Sequence, residues 1–373
     1  MSALSAGHRF QGIGRAASGT GGRTAFPTAA KTKPIMPATT APHETPQTGV
    51  AVFPTPPAPG AAMRGGVRRH VFSALGTECL VLFLCPEDTR ARAFADAAQR
   101  WTQAFEAKYS RFRTDSLVGR INAAAGRAWV ELDEDAAHIF DLAGQLVQLT
   151  GGILDPSALP LLNLWNYRAR TPRVPTDAEV EAARLLVGWS KVQRSPGRIR
   201  LPEPGMGLDL GGFGKEYAVD AVVEIARAHG IENLLVDFGH DVRVLGQPAD
   251  GPWWRIGVED PARPGRSWTT LGLTNRGVAT SGDYVRGFTV GGRRYGHILD
   301  PRTGRPVAHG CRSVTVVAPS CLEAGVLSTT AFVLGPAAGL RLIESFFGAE
   351  ACLRSEGTIA QTRGFFALCC DQA

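Results

Sequence analysis

Residues 71–84 alternate apolar and polar side chains through SALGTECLVLFL, a two-residue period that predicts a strand. From 88 to 108 the apolar positions recur at helical spacing and predict an amphipathic helix. The same spacing runs through VELDEDAAHIFDLAGQLVQLTGG, with Asp133 or Asp135 placed to cap the helix and Gly151 to stop it. ILDPSALPLLNLW at 153–165 follows, where two prolines break any long helix. A short acid-capped helix is predicted at 176–186, then a hairpin ending in RIRLP. Met206–Leu210 reads as a strand end, followed by a glycine turn and a helix over 215–229 that closes on Gly230, before a further strand toward 244. WWRIGVED and RSVTVVAP predict strands, and 321–334 and 336–347 predict helices. Strands and helices alternate without an internal repeat, which makes the fold class α+β and not a regular βαβ series.

The first 66 residues show no such period. They are rich in Pro, Gly, Ala and Thr, with PTPPAPG at 54–60, and offer too little apolar surface to offset the entropy of ordering. Residues 1–66 are therefore expected to form a disordered arm and 67–373 the folded domain; the chain of 373 residues is 44% hydrophobic, enough for one large or two moderate cores. Through residue 70 the chain carries Arg9, Arg15, Arg23, Lys31, Lys33, Arg64, Arg68 and Arg69 against Glu44, a balance of +7. The whole chain is +6, so the remainder is −1. The basic charge belongs to the arm and gives the folded part no reason to bind nucleic acid. The arm lacks the apolar core of a secretory signal, RRHVF at 68–72 reads as the opening of the first strand, and no stretch approaches a membrane span. Met36 and Met63 are alternative starts. Seven cysteines without a C-x-x-C pair favour reduced thiols, and with them a cytoplasmic location, over a disulfide or zinc framework.

Candidate chemistry begins at LDLGGFGKEYAVD, 208–220. A Walker-type loop would need glycine where Asp209 stands and a hydroxyl where Glu216 stands, and the dinucleotide pattern fails at Tyr217. What remains is a glycine turn that opens a helix, able to hold an anion or merely to permit close packing. SGDY (281–284) and GHILDPRTGRP (296–306) concentrate Ser, Asp, Tyr, His, Arg and Thr in turn-rich chain, although turn chemistry alone also uses Asp-Pro and Thr-Gly. The run LSTTAF (327–332) supplies hydroxyls or helix caps.

In order, ALGTE (74–78), YSRFRTDSLVGRIN (109–122), LDPSALPLLNLW, LDLGGFGKEYAVD, VATSGDYVR with HILDPRTGRPV, and SVTVVAPSCLEAGVLSTTAFVLG resemble one family, the FAD:protein FMN transferases or ApbE flavin transferases. The resemblance covers about 71–335. It implies a mixed sheet-and-helix α+β fold with FAD bound in a cleft. It implies that FAD is split with the help of Mg2+ and that FMN is joined through a phosphoester to a threonine of an acceptor protein, with release of AMP. By the same matching Leu75, Phe112, Ser157, Ala158, Leu159, Asp209, Lys215 and Leu299 would contact the cofactor. The Gly212 carbonyl with Ser328 and Thr329 would hold the metal, and His297 would act at the diphosphate, orienting or protonating the phosphoryl centre or helping to deprotonate the incoming threonine.

This sequence also departs from the family pattern. Where the usual metal motif has an aspartate, this chain has Gly325, so its carboxylate ligand is absent unless a displaced acid such as Glu216 or Glu323 compensates. Glu216 and His240 both replace usual glycines. These departures keep a second reading in view, an FAD-binding protein of the same fold with weak or lost transfer, used for storage, assembly or slow FAD hydrolysis. A third is a non-flavin interaction protein working through the basic arm.

Overall fold

The computed structural model describes residues 66–370. The expected arm up to Gly65, with Met36 and Met63, lies outside the described residues. An eight-stranded sheet forms the centre, in the order Val67–Ala74, Thr77–Leu84, Leu234–Phe238, Asp241–Leu245, Gly277–Gly282, Cys311–Ala318, Glu350–Ser355 and Thr358–Gln361. Every neighbouring pair is antiparallel. Helices and a separate ribbon cover its faces, as the α+β reading requires.

The strand Leu234–Phe238 shows how one sequence serves two cores. All five of its residues are buried. Leu234, Val236 and Phe238 enter the larger core, whereas Leu235 points to the opposite face with Val244, Ile256 and Leu271, as the two-residue period of a strand dictates. The first face is covered by α1 (Asp88–Tyr109), α2 (Leu117–Ala123) and α3 (Glu134–Leu149), with α4 (Leu159–Leu164) and α5 (Asp177–Arg184) to one side, and by α6 (Gly214–Ala228). Phe94 of α1 meets Phe83 edge-on at 4.8 Å, and both are fully buried. Truncating such a phenylalanine to alanine costs about 3–5 kcal/mol. The other face is covered by a ribbon of Trp254–Asp260 and Arg263–Leu273. Toward the far edge α7 (Cys321–Leu334) and α8 (Pro336–Glu344) pack on Cys311–Ala318 and Glu350–Ser355.

The helices predicted at 88–108, 176–186, 215–229, 321–334 and 336–347 are present within a few residues of those bounds. Asp133, not Asp135, caps α3, accepting from the amide of Ala136. Two expectations change. The stretch 71–84 is not one strand but the second half of one and the whole of the next, joined at Leu75 (φ 55°) and Gly76 (φ 69°). A two-residue turn with both centres left-handed is the tightest hairpin connection, and it hides inside the alternation because the side chains keep their period across it. The segment 206–210 is extended but joins no sheet. Asn122 imitates a strand partner there: its side-chain oxygen accepts from Leu208 N at 2.6 Å and its amide donates to Leu208 O at 3.0 Å. Among the described residues no helix is long and apolar enough to cross a membrane, and Cys79, Cys85, Cys311, Cys321, Cys352 and Cys369 are free thiols.

Candidate functional site

The glycine-rich stretch ends in the first turn of α6, whose N-cap residue Phe213 makes no side-chain capping bond. Amides at such a start face outward and attract anions. Before it, Asp209 Oδ1 accepts from Gly211 N at 2.9 Å, Asp209 pairs with Arg111 at 3.1 Å, and its amide donates to Pro156 O at 2.8 Å. The loop is therefore tied to the turn at 155–159. Gly207 packs close to that turn, where a Cβ would lie 2.8 Å from Leu159 Cδ2. Gly212 faces Leu154, which a Cβ would approach to 3.3 Å.

In that turn Asp155 accepts from the amide and hydroxyl of Ser157 and from Trp189 N, while Ser157 Oγ accepts from Gly188 N at 2.7 Å. Ser157 is fully buried, backbone included, and Ala158 and Leu159 are buried beside it. Leu299 is also buried, in a cluster with Leu161, Trp165, Val180 and Phe288. Trp165 Nε1 donates to Gly304 O at 2.8 Å and ties that cluster to the 299–306 hairpin. Leu75 sits half-buried in its left-handed turn, against the main core. Phe112 is 70% exposed, its ring 4.3 Å under the Arg111 guanidinium.

Lys215 and Glu216 follow in the first turn of α6. Lys215 Nζ lies 2.6 Å from Asp241 Oδ2 and donates to Gly239 O at 3.2 Å. Burial works against its charge, but Asp241 and then Glu216 outweigh it and raise its pKa. Glu216 is buried, and its Oε2 has no hydrogen-bond partner. Burial first, and then the charge of Asp241, push it up to about 8, against the pull of Lys215. The turn beyond the strand Leu234–Phe238 completes this corner. Gly239 is left-handed and abuts Thr77, while His240 holds φ 74° although it is not glycine, a state that is uncommon for side-chain-bearing residues but one that histidine adopts more readily than most.

Across from α6 stands α7. Its cap is not in LSTTAF but at Ser320, which accepts from Glu323 N while Glu323 Oε2 accepts from Ser320 N, a complete capping box. The hydroxyls of LSTTAF lie further along. Ser281 Oγ is 2.9 Å from Ser328 Oγ and 2.9 Å from Thr329 Oγ1, and Ser328 Oγ donates to Gly325 O at 3.1 Å. Asp220 of α6 accepts from the first α7 amides, Cys321 N at 3.0 Å and Leu322 N at 2.8 Å, and pairs with Arg243 at 2.9 Å. The two helix starts are thus tied to each other and to the sheet.

His297 follows the two-stranded hairpin Gly287–Val290 with Arg293–Gly296. It is half-buried, edge-on to Tyr167 at 5.8 Å, and its Nδ1 has no partner. Burial, then the charge of Arg286, then Arg168 and Arg294, lower its pKa to about 4. The imidazole is neutral at physiological pH. The charge of Arg286 acts on Lys215 as well, so hairpin and helix start share one electrostatic neighbourhood. Of SGDY only Ser281 joins the hydroxyl group; Tyr284 is pinned to Glu259 at 2.7 Å and Asp283 accepts from Arg294. Asp241 went unnoticed in the sequence, and Ser281 and Arg286 were visible only as members of SGDY and VATSGDYVR, because their roles come from strand register and neighbours far along the chain.

An open antiparallel sheet, a helix start without a side-chain cap, a neutral histidine in the field of arginines and a cluster of hydroxyls mark a mixed α+β protein with groups suited to an anion. The chain belongs to the ApbE family, whose model matches residues 75–353. Relatives include an FAD:protein FMN transferase of Vibrio cholerae, 35% identical over 239 residues, 63% of this chain and 72% of that one. One of Haemophilus influenzae is 32% identical, over 64% and 71%. Among solved structures, the ApbE protein of Thermotoga maritima matches with TM-score 0.74 and 33% identity over 81% of this chain and 99% of its own. The flavin transferase ApbE of Vibrio cholerae matches with TM-score 0.72 and 28% identity over the same shares.

Proposed function

We propose that this protein is an FAD:protein FMN transferase that moves FMN from FAD to a threonine hydroxyl of an acceptor protein. The observation that carries the reaction type is His297, whose Nδ1 has no partner and whose imidazole is kept neutral by burial and by the charges of Arg286, Arg168 and Arg294. A neutral imidazole can take the hydroxyl proton, and the negative charge of a bound diphosphate would raise its basicity toward the working pH. The arginines and the uncapped start of α6 suit the charge of a diphosphate. In the proposed step the acceptor hydroxyl attacks the phosphorus that carries the flavin and its proton passes to His297. The new P–O ester bond forms as the P–O bond of the anhydride breaks, and AMP leaves as the phosphate anion. Phe112, Leu75, Asp209, Lys215, the 157–159 turn and Leu299 are the proposed cofactor contacts.

The resemblance also implies Mg2+. Among the described residues no three His, Cys, Asp or Glu side chains form a metal cage. The donors at hand are hard oxygens instead, the hydroxyls of Ser328 and Thr329 and the unpartnered Oε2 of Glu216, a set suited to a cation that keeps several waters and shares substrate phosphates. Ser328, Thr329 and the Gly212 carbonyl would hold the ion, which when bound offsets negative charge on the phosphoryl oxygens.

Incubation with FAD, Mg2+ and a threonine-bearing peptide of the family acceptor type, followed by mass spectrometry, tests this reading. Covalent FMN on threonine with release of AMP is expected. Tight FAD binding without covalent flavin would turn the assignment to the FAD-binding alternative.

A further inference from the structure

Gly325 of α7 is glycine for a reason visible across the gap between helices. A Cβ added there would lie 2.5 Å from Glu216 Cγ, 2.9 Å from Cδ and 2.9 Å from Oε1. The side chain of Glu216 fills the space into which any residue at 325 would project. Glu216 in turn is buried, and one of its oxygens is without a partner, an arrangement that costs free energy unless something unseen completes it. On α7 itself the Gly325 carbonyl accepts from Ser328 Oγ, and Ser281 Oγ lies 2.9 Å from the hydroxyls of both Ser328 and Thr329. The other acids are committed. Glu323 closes the α7 capping box, Asp220 holds the α7 amides and Arg243, Asp241 pairs with Lys215 and shares a hydrogen bond with Glu216, and Asp237 accepts from His240 N at 2.7 Å.

We infer that Glu216, reaching across from the first turn of α6, supplies the carboxyl oxygen of the divalent-cation site, losing its proton to solvent as the cation binds, and that Gly325 is the vacancy its side chain requires. This rests on the metal-dependent reading given above and names the ligand that reading lacks. A hard cation needs at least one charged oxygen to compete with water for a site otherwise built of hydroxyls and carbonyls. Glu216 is the acid at this corner with an oxygen to give. The exchange is reciprocal: the carboxyl stands on one helix or the other, because the space admits only one.

The test uses Mn2+ as probe, titrated into the full-length protein with ADP, a diphosphate with no flavin to transfer, and read by electron paramagnetic resonance. Glu216→Gln keeps the shape and removes the charge, and is expected to weaken Mn2+ binding roughly 10–100-fold. Glu216→Gly with Gly325→Asp, which moves the carboxyl to α7, is expected to return affinity to the wild-type range, while Gly325→Asp alone overfills the gap and destabilises the protein. Wild-type affinity in Glu216→Gln overturns the assignment. A double variant with intact circular dichroism but affinity as poor as Glu216→Gln overturns the reciprocity. Wild-type protein that binds no Mn2+ yet transfers FMN in the presence of EDTA removes the metal and leaves the transferase standing. Absence of transfer with Mn2+ binding intact does the reverse.

Discussion

Lys215 Nζ on α6 sits 2.6 Å from Asp241 Oδ2 on the neighbouring strand, so the cation at the helix start is fastened to the sheet before any ligand arrives. With the two side chains only 26% and 10% exposed, the pair lies where removing one partner strands the other. Lys215→Ala is expected to destabilise the fold by about 3–5 kcal/mol, the usual result of leaving a buried charge uncompensated. Adding Asp241→Asn should recover much of that loss. Urea unfolding of the two single variants and the double variant measures the coupling, and additive effects would show that the pair is incidental.

His297 sets a pH dependence with a definite sign. Its folded pKa is about 4, whereas an unfolded histidine titrates near 6.5. As pH falls through about 6.5 the unfolded chain takes the proton first, so stability is lost from there downward and the loss levels off below about 4. Relative to His297→Gln, the wild type should therefore lose stability across that window, and equal slopes would place the histidine in an ordinary solvated setting. The same variant should lower transfer roughly 100-fold at neutral pH, the scale of a lost proton acceptor.

Gly325→Ala tests the crowding at the helix gap without introducing charge. Its methyl would press on Glu216 at 2.5 Å, and overpacking of this kind costs about 1–3 kcal/mol. In a Glu216→Ala background the penalty should shrink. A melting temperature unmoved by Gly325→Ala alone would mean that Glu216 readily swings aside.

Phe112 offers the opposite case, since its ring is exposed and carries Arg111 on its face. Phe112→Ala should leave the melting temperature unchanged while weakening FAD binding by about 0.5–1.5 kcal/mol, the worth of one aromatic stack. Fluorescence quenching of FAD would report it. Unchanged affinity would move the flavin away from this ring.

The sequence made the helices legible, since caps, stops and apolar period coincide in α1, α6 and α7. It missed the Leu75–Gly76 hairpin because a two-residue turn preserves alternation, and it misread 206–210 because the partner of that segment is a side chain, Asn122. Gly325 and Glu216 were each visible as departures from the family pattern, but nothing local relates positions more than a hundred residues apart. Only the packing of α6 on α7 shows that the two changes answer one another.

Asp220 has a consequence for motion. By holding the α7 amides from α6 while gripping Arg243 in the sheet, it removes hinge freedom between the two helix starts, so the oxygens they present are set at folding and not by an arriving ligand. Any adjustment to substrate then falls to the Gly287–Gly296 ribbon, which turns on Gly291 and Gly292 and brings Arg294 with it. The site divides into a fixed floor and an adjustable wall, and hydrogen exchange should find the amides of α6 and α7 opening together and far more slowly than those of the ribbon.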